Sequence, residues 1–121
     1  MQQVLLVEDD ADIRGLIIDA FEDRGLRVRS ADSDQAAFAL LETEARSFTM
    51  LIADINLGEG ADGFDVARRA RRLNPDLKVI YITGHAAQFG KYGLEGGEIF
   101  PKPFDPRELA DRVVAAIGPA A

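Results

Sequence analysis

The sequence contains no cysteine. Disulfides, thiolate zinc sites and cysteine nucleophiles are therefore excluded. Its one histidine, His85, leaves no room for a multi-histidine metal site. Positive charge is scarce: 14 Lys and Arg stand against 21 Asp and Glu, a net charge of −7. Proteins that bind a nucleic-acid backbone need a basic face, and this balance argues against one. Apolar runs stop after about five residues, far short of the ~20 needed to cross a bilayer. Met1-Gln2-Gln3 leads straight into apolar residues, without the architecture of a secretory signal. What is present is the ordinary composition of a folded domain, with 47% hydrophobic and 29% charged residues over 121 positions. That is enough chain for one domain to bury a core. The expectation is a soluble cytoplasmic domain over 1–121 with no output domain.

Along the chain, short apolar runs alternate with helical periodicity. Gln3 to Val7 is a continuous apolar run of the kind buried on both faces of a parallel sheet. It stops at Glu8, Asp9 and Asp10. Ile13, Leu16, Ile17, Ala20 and Phe21 then recur as one buried helix face, with Asp10 or Asp12 as cap and Gly25 as stop. Leu26 to Ala31 alternates like a less buried strand. Ser33 or Asp34 caps a second helix, with Ala36, Ala37, Leu40 and Leu41 on one face. Phe48 to Ala53 is a third apolar run and ends at Asp54. After a glycine-rich loop, a helix over Phe64–Leu73 places Val66, Ala67, Ala70 and Leu73 inward. Lys78 to Ile82 is a fourth strand, and Ile99-Phe100 a short fifth. Between them at most a short helix near 86–92 fits. The last helix runs from Pro106 to Ile117, capped by Asp105. Strands alternating with helices imply a parallel sheet covered on both faces.

In such doubly wound sheets, function collects outside the carboxyl ends of the strands. Four strands here end in reactive types: Glu8-Asp9, Asp54, Thr83 and Lys102-Pro103. Three carboxylates held together repel unless a cation binds among them. Oxygen ligands without His or Cys select a hard ion, Mg²⁺ first. A carboxylate can also act as a nucleophile and form an aspartyl phosphate. That transfer needs in-line positioning and neutralised equatorial oxygens, which Mg²⁺, Lys102 and the Thr83 hydroxyl would supply.

These residues carry a resemblance. Leu6-Val7-Glu8-Asp9-Asp10 with Arg14, Ala53-Asp54-Ile55-Asn56-Leu57 through Asp62-Gly63, Ile82-Thr83-Gly84, and Lys102-Pro103-Phe104 stand in the order and spacing of a response-regulator receiver domain of bacterial two-component signalling. The chain resembles that family from Val4 to Ile117. The resemblance implies a flavodoxin-like, doubly wound five-stranded parallel sheet of order 2-1-3-4-5, here with a short or irregular fourth helix. It implies Asp54 as phospho-acceptor, Thr83 as switch hydroxyl and Lys102 as partner of the phosphoryl group, with a cis Lys102–Pro103 bond. Asp9, Asp54 and the backbone carbonyl of Asn56 would hold Mg²⁺, with Glu8 acting through a water. Counting back from Arg14 places the acidic pair on Glu8 and Asp9, leaving Asp10 as a cap or a solvated residue. The implied partners are a histidine kinase or histidine phosphotransfer protein as donor and a downstream protein as target, with no nucleic acid or membrane. The domain would not be an enzyme, although it would assist its own phosphorylation and dephosphorylation.

Three features depart from the family pattern. The usual switch aromatic, three residues before the lysine, is Ile99 here. The segment between Thr83 and Lys102 is short and glycine-rich. The loop after Asp54 is longer than usual. Two other readings follow from the same residues. One is a non-switching pseudo-receiver adaptor. The other is a small phosphatase with an Asp nucleophile, whose usual second acid is replaced by Asn56. His85 reads as a solvated loop residue. Arg68, Arg69, Arg71 and Arg72 read as the solvated face of the third helix.

Overall fold

The apolar runs form one parallel sheet. A computed structural model describes residues 3–55, 62–84 and 97–118. The elements are β1 (Gln3–Val7), α1 (Ala11–Glu22), β2 (Arg27–Ala31), α2 (Asp34–Glu44), a 3₁₀ turn (Ala45–Ser47), β3 (Met50–Asp54), α3 (Gly63–Leu73), β4 (Lys78–Thr83), β5 (Glu98–Pro101) and α4 (Pro106–Ile117). The strand order is β2-β1-β3-β4-β5, with every neighbouring pair parallel. The expected flavodoxin-like order is thus the observed one. The expected short helix near 86–92, His85 and Asn56 lie outside the described residues.

Strand alternation sorts the core into two layers. Val4, Leu6, Met50, Ile52, Ile80 and Ile82 meet Ile17, Phe21, Leu109 and Val113 of α1 and α4. Leu5, Val7, Leu51, Ala53, Val79 and Tyr81 meet Ala37, Leu41, Val66, Ala67 and Ala70 of α2 and α3. The same alternation puts Glu8 and Asp54 on the α1/α4 side, one step beyond the last apolar residues of adjacent strands. β1 and β3 pair through Val7 and Ala53, so the two acids emerge side by side.

The caps follow from residue type. Asp10 accepts from the amides of Asp12 and Ile13, Ser33 from Ala36, and Asp62 from Asp65 in a reciprocal capping box. Asp105 accepts from the amide of Arg107, with Pro106 in the first turn. Gly25 takes a positive φ of 76° after α1, a conformation glycine adopts without strain.

Several expectations need correction. Leu16, expected in the buried face of α1, is 58% exposed. It lies one residue before Ile17, which turns it off the sheet-facing stripe and onto the rim of a groove. Leu73 is also exposed, at the last turn of α3 beyond the buried Ala70. β2 begins at Arg27 rather than Leu26. β3 begins at Met50, because Phe48 follows the 3₁₀ turn, and it runs on to Asp54, which is in register with Ile82 of β4. α3 begins one residue earlier than expected, at Gly63.

Candidate functional site

The carboxyl edge of the sheet gathers the polar residues singled out in the sequence. Glu8 is 0% exposed, Asp54 4% and Thr83 2%. Asp9 stands exposed beside them. Single carboxylate oxygens of Glu8, Asp9 and Asp54 lie within 4.8 Å of one another. Lys102 enters from the turn after β5. Its Nζ donates to Asp54 Oδ2 at 2.8 Å and lies 3.4 Å from Glu8 Oε1 and 3.3 Å from Glu8 Oε2. The Lys102–Pro103 peptide is cis, as the resemblance implied. The Lys102 amide donates to the Thr83 carbonyl at 2.8 Å, tying the end of β4 to the lysine's own turn.

Each acid is held differently. The Glu8 amide continues the sheet by donating to the Ala31 carbonyl at 3.0 Å. Its Oε1 accepts from the Asp10 amide at 3.2 Å, while its Oε2 is buried without a hydrogen bond. Asp10 faces away and caps α1. Asp54 ends β3, and the chain beyond it is pinned by Ile55 N donating to Ile82 O at 3.1 Å and Gly63 N donating to Ile55 O at 3.0 Å. Any β-carbon at Gly63 would stand 2.4 Å from the Asp54 carbonyl oxygen, so only glycine lets α3 start this close to the acid. Gly63 stands in one of the sequence motifs, but its residue type alone does not announce this contact. A glycine directly after a capping aspartate was the available signal.

Two buried carboxylates share one ammonium. Burial pushes the Glu8 carboxyl up to about 7, and the charge of Asp54 adds to the rise against the opposing pull of Lys102 and the Asp10 amide. Burial works against the Lys102 charge, but the hydrogen bond and charge of Asp54, joined by Glu8, outweigh it and raise its pKa. A buried carboxylate oxygen that accepts no hydrogen bond and has only the Lys102 ion pair, beside two further carboxylates, is a donor set for a hard divalent cation, so the residues fit Mg²⁺.

The position usually held by a switch aromatic also has an observed environment. Ile99 is buried and pairs with Tyr81 across β4 and β5. The Tyr81 ring is fully buried and packs edge-on against Phe64 at 4.7 Å. A β-carbon at Gly97 would fall 2.3 Å from that ring, so the aromatic bulk here belongs to β4 rather than β5. Phe100 lies on the opposite face, 5.3 Å from Phe104.

Next to the acids, an apolar groove of about 430 Å³ is lined by Ile13, Leu16, Gly84, Lys102, Pro103, Phe104 and Pro106. Exposed Leu16 forms its rim. No helix among the described residues is long and apolar enough to cross a membrane.

Comparisons with known proteins converge on one description. The family model for the response regulator receiver domain matches residues 4–114. The response regulator receiver protein CpdR of Brucella abortus (strain 2308) is 35% identical over 116 residues, covering 93% of this chain and 94% of that protein. The sensor kinase CckA of the same organism is 32% identical over 113 residues, but the match spans only 12% of its length. Among solved structures, the receiver domain of the hybrid histidine kinase CckA superposes with a TM-score of 0.82 at 28% identity, covering 95% of this chain and 98% of that one.

Proposed function

Because the chain belongs to the response regulator receiver family, we propose that it accepts a phosphoryl group on Asp54 and signals by altered protein contacts. The observation that carries this reading is the buried Glu8–Asp54 pair sharing Lys102, with Asp9 at its mouth. The donor is a phosphohistidine of a histidine kinase or phosphotransfer protein. An Asp54 carboxylate oxygen attacks phosphorus. The O–P bond forms as the P–N bond breaks, and the imidazole leaves with the electron pair and takes up a proton. Lys102, already 2.8 Å from Asp54, pairs with the transferred group. Thr83, at the end of the adjacent strand, supplies its hydroxyl to the same group. Asp9, Asp54 and the backbone carbonyl of Asn56, with Glu8 through a water, would hold Mg²⁺, which when bound would add positive charge beside the phosphoryl oxygens.

The groove beside the acids gives the donor a place to dock. Its apolar lining and the exposed Leu16 suit an amphipathic helix that carries the histidine. Phosphorylation then shifts a pre-existing equilibrium of the surface around β4, β5 and the Lys102 turn, and a downstream protein reads the difference. The domain works in the cytoplasm, with phosphoryl transfer and loss assisted by its own residues rather than turned over on a separate substrate. The complete acid, threonine and lysine set favours this over a non-switching adaptor. Asn56 in place of a second acid disfavours a phosphatase.

The test is incubation with acetyl phosphate, with and without Mg²⁺, read by intact mass beside the Asp54→Asn variant. A gain of one phosphoryl group that needs both Mg²⁺ and Asp54 is expected. No gain, together with no binding of beryllofluoride and Mg²⁺, would leave the adaptor reading instead.

A further inference from the structure

Arg14 is the motif residue to which the phosphotransfer reading gives no task. It sits in the first turn of α1, half-buried. Its Nη1 donates to the main-chain carbonyl of Glu8 at 2.9 Å. In a chain with 21 acidic residues, Arg14 makes no ion pair among the described residues. Its charge is directed at a peptide oxygen inside the acidic turn.

That oxygen is a sensitive one. The β1–β3 pairing stops at Val7 and Ala53. Beyond it, the turn from Glu8 to Asp10 is tied down at successive points. The Glu8 amide is bonded to Ala31 O, the Glu8 carbonyl to Arg14, and the Asp10 amide to the Glu8 side chain. The Asp10 carbonyl receives the amide of Arg14 itself at 2.9 Å. The peptide between Glu8 and Asp9 is therefore oriented by the Arg14 guanidinium rather than by the sheet. Rotating that peptide would swing the Asp9 carboxylate, which has no hydrogen bond of its own among the described residues.

We propose that Arg14 is a positioning residue for the cation site: by gripping the Glu8 carbonyl it holds Glu8 and Asp9 in the arrangement that receives Mg²⁺. This rests on the phosphotransfer reading of the site. Supporting groups that orient metal-ligating side chains commonly govern affinity as strongly as some ligands do. A positioning role also has a distinctive sign. Arg14 is a cation near a cation site. If only its charge mattered, removing it would tighten Mg²⁺ binding. If it positions the turn, removing it weakens binding.

The experiment is titration of the ¹⁵N-labelled full chain with MgCl₂ alone, following backbone amide shifts of Asp9 and Asp54. Wild type, Arg14→Met and Arg14→Lys are compared. Arg14→Met keeps an apolar stem without the donor and is expected to raise the Mg²⁺ Kd roughly tenfold. Arg14→Lys keeps a cationic donor of different shape and is expected to show a smaller loss in the same direction. Acetyl-phosphate labelling of Arg14→Met should recover at saturating Mg²⁺, which separates lost affinity from lost chemistry. Unchanged or tighter Mg²⁺ binding in the variants, with wild type binding normally, overturns the role of Arg14 and leaves the phosphotransfer reading standing. Failure of the wild type to bind Mg²⁺ overturns both. If the amide spectrum shows Arg14→Met to be unfolded, the direction of the Arg14→Lys shift decides.

Discussion

The two ends of the sheet treat polar groups in opposite ways. At the amino end, donors meet carbonyls one for one. Asn74 Nδ2 donates to the carbonyls of Ala45 and Phe48 at 3.1 and 2.9 Å, Thr49 N to Gln3 O at 2.8 Å, and Lys78 N to Thr49 O at 3.2 Å. Lys78 Nζ reaches the Ala116 carbonyl at the end of α4. These bonds close the connections into β3 and β4. At the carboxyl end, two buried carboxylates compete for one lysine, and an oxygen of Glu8 is left without a hydrogen bond. Among the described residues, the buried cluster of carboxylates lies at the end where a cation and a phosphoryl group would relieve it, at the place where ligands bind in doubly wound sheets.

The sharpest way to break this contrast is to remove Lys102, the cation shared by the acids among the described residues. Lys102→Met should slow phosphoryl acceptance from acetyl phosphate by about 100-fold or more, the scale of losing one charge-stabilising donor in a transition state. Intact-mass time courses at saturating Mg²⁺ measure it. A rate within a few-fold of wild type would mean the lysine is only a structural counter-ion. The matching change at the amino end is Asn74→Ala. It strips two carbonyls of their donor and should cost about 2 kcal/mol of stability, read by urea unfolding, with the acceptance rate unchanged. If Asn74→Ala slowed acceptance as much as Lys102→Met, the two ends would not be functionally distinct.

How much of this could be read from the residues alone depends on what kind of contact was involved. Short apolar runs and helical stripes announced β1, β4 and α4 within a residue or so, because each residue's own hydrophobicity records its burial. The acids, threonine and lysine were legible because each closes a strand, so the topology itself brings them to one edge. Leu16 was misplaced because periodicity says which side of a helix is apolar but not how far the neighbouring element extends over it. The start of β3 was misjudged because Phe48, although buried, precedes the strand. The grip of Arg14 on the Glu8 carbonyl was invisible for a different reason: a main-chain acceptor has no residue type to give it away. The tight seat of Gly63 against Asp54 was hidden in the same way.

The smallest effect expected tests whether the crowding at the carboxyl end is a real energetic burden. The folded Glu8 carboxyl has a pKa raised to about 7, chiefly by burial and then by Asp54, whereas an unfolded glutamate titrates at an ordinary value. Between the two, the folded state binds more protons than the unfolded state, so this group's contribution to stability falls as pH rises. The contribution is fully present below the unfolded pKa and is lost as pH passes through about 7. Glu8→Gln, which mimics the protonated form, should therefore match wild type at about pH 3.5 and exceed it at pH 8 by an amount on the order of 1 kcal/mol. Paired thermal melts in chelator, compared as a difference at each pH, remove the titrations common to both proteins. Adding Mg²⁺ at pH 8 should reverse the sign, since the cation stabilises the wild-type acid cluster and gains less from the glutamine. A difference that stays flat with pH in chelator would mean that the neighbouring Lys102 already neutralises the pair, and the contrast between the two ends would be one of geometry rather than of energy.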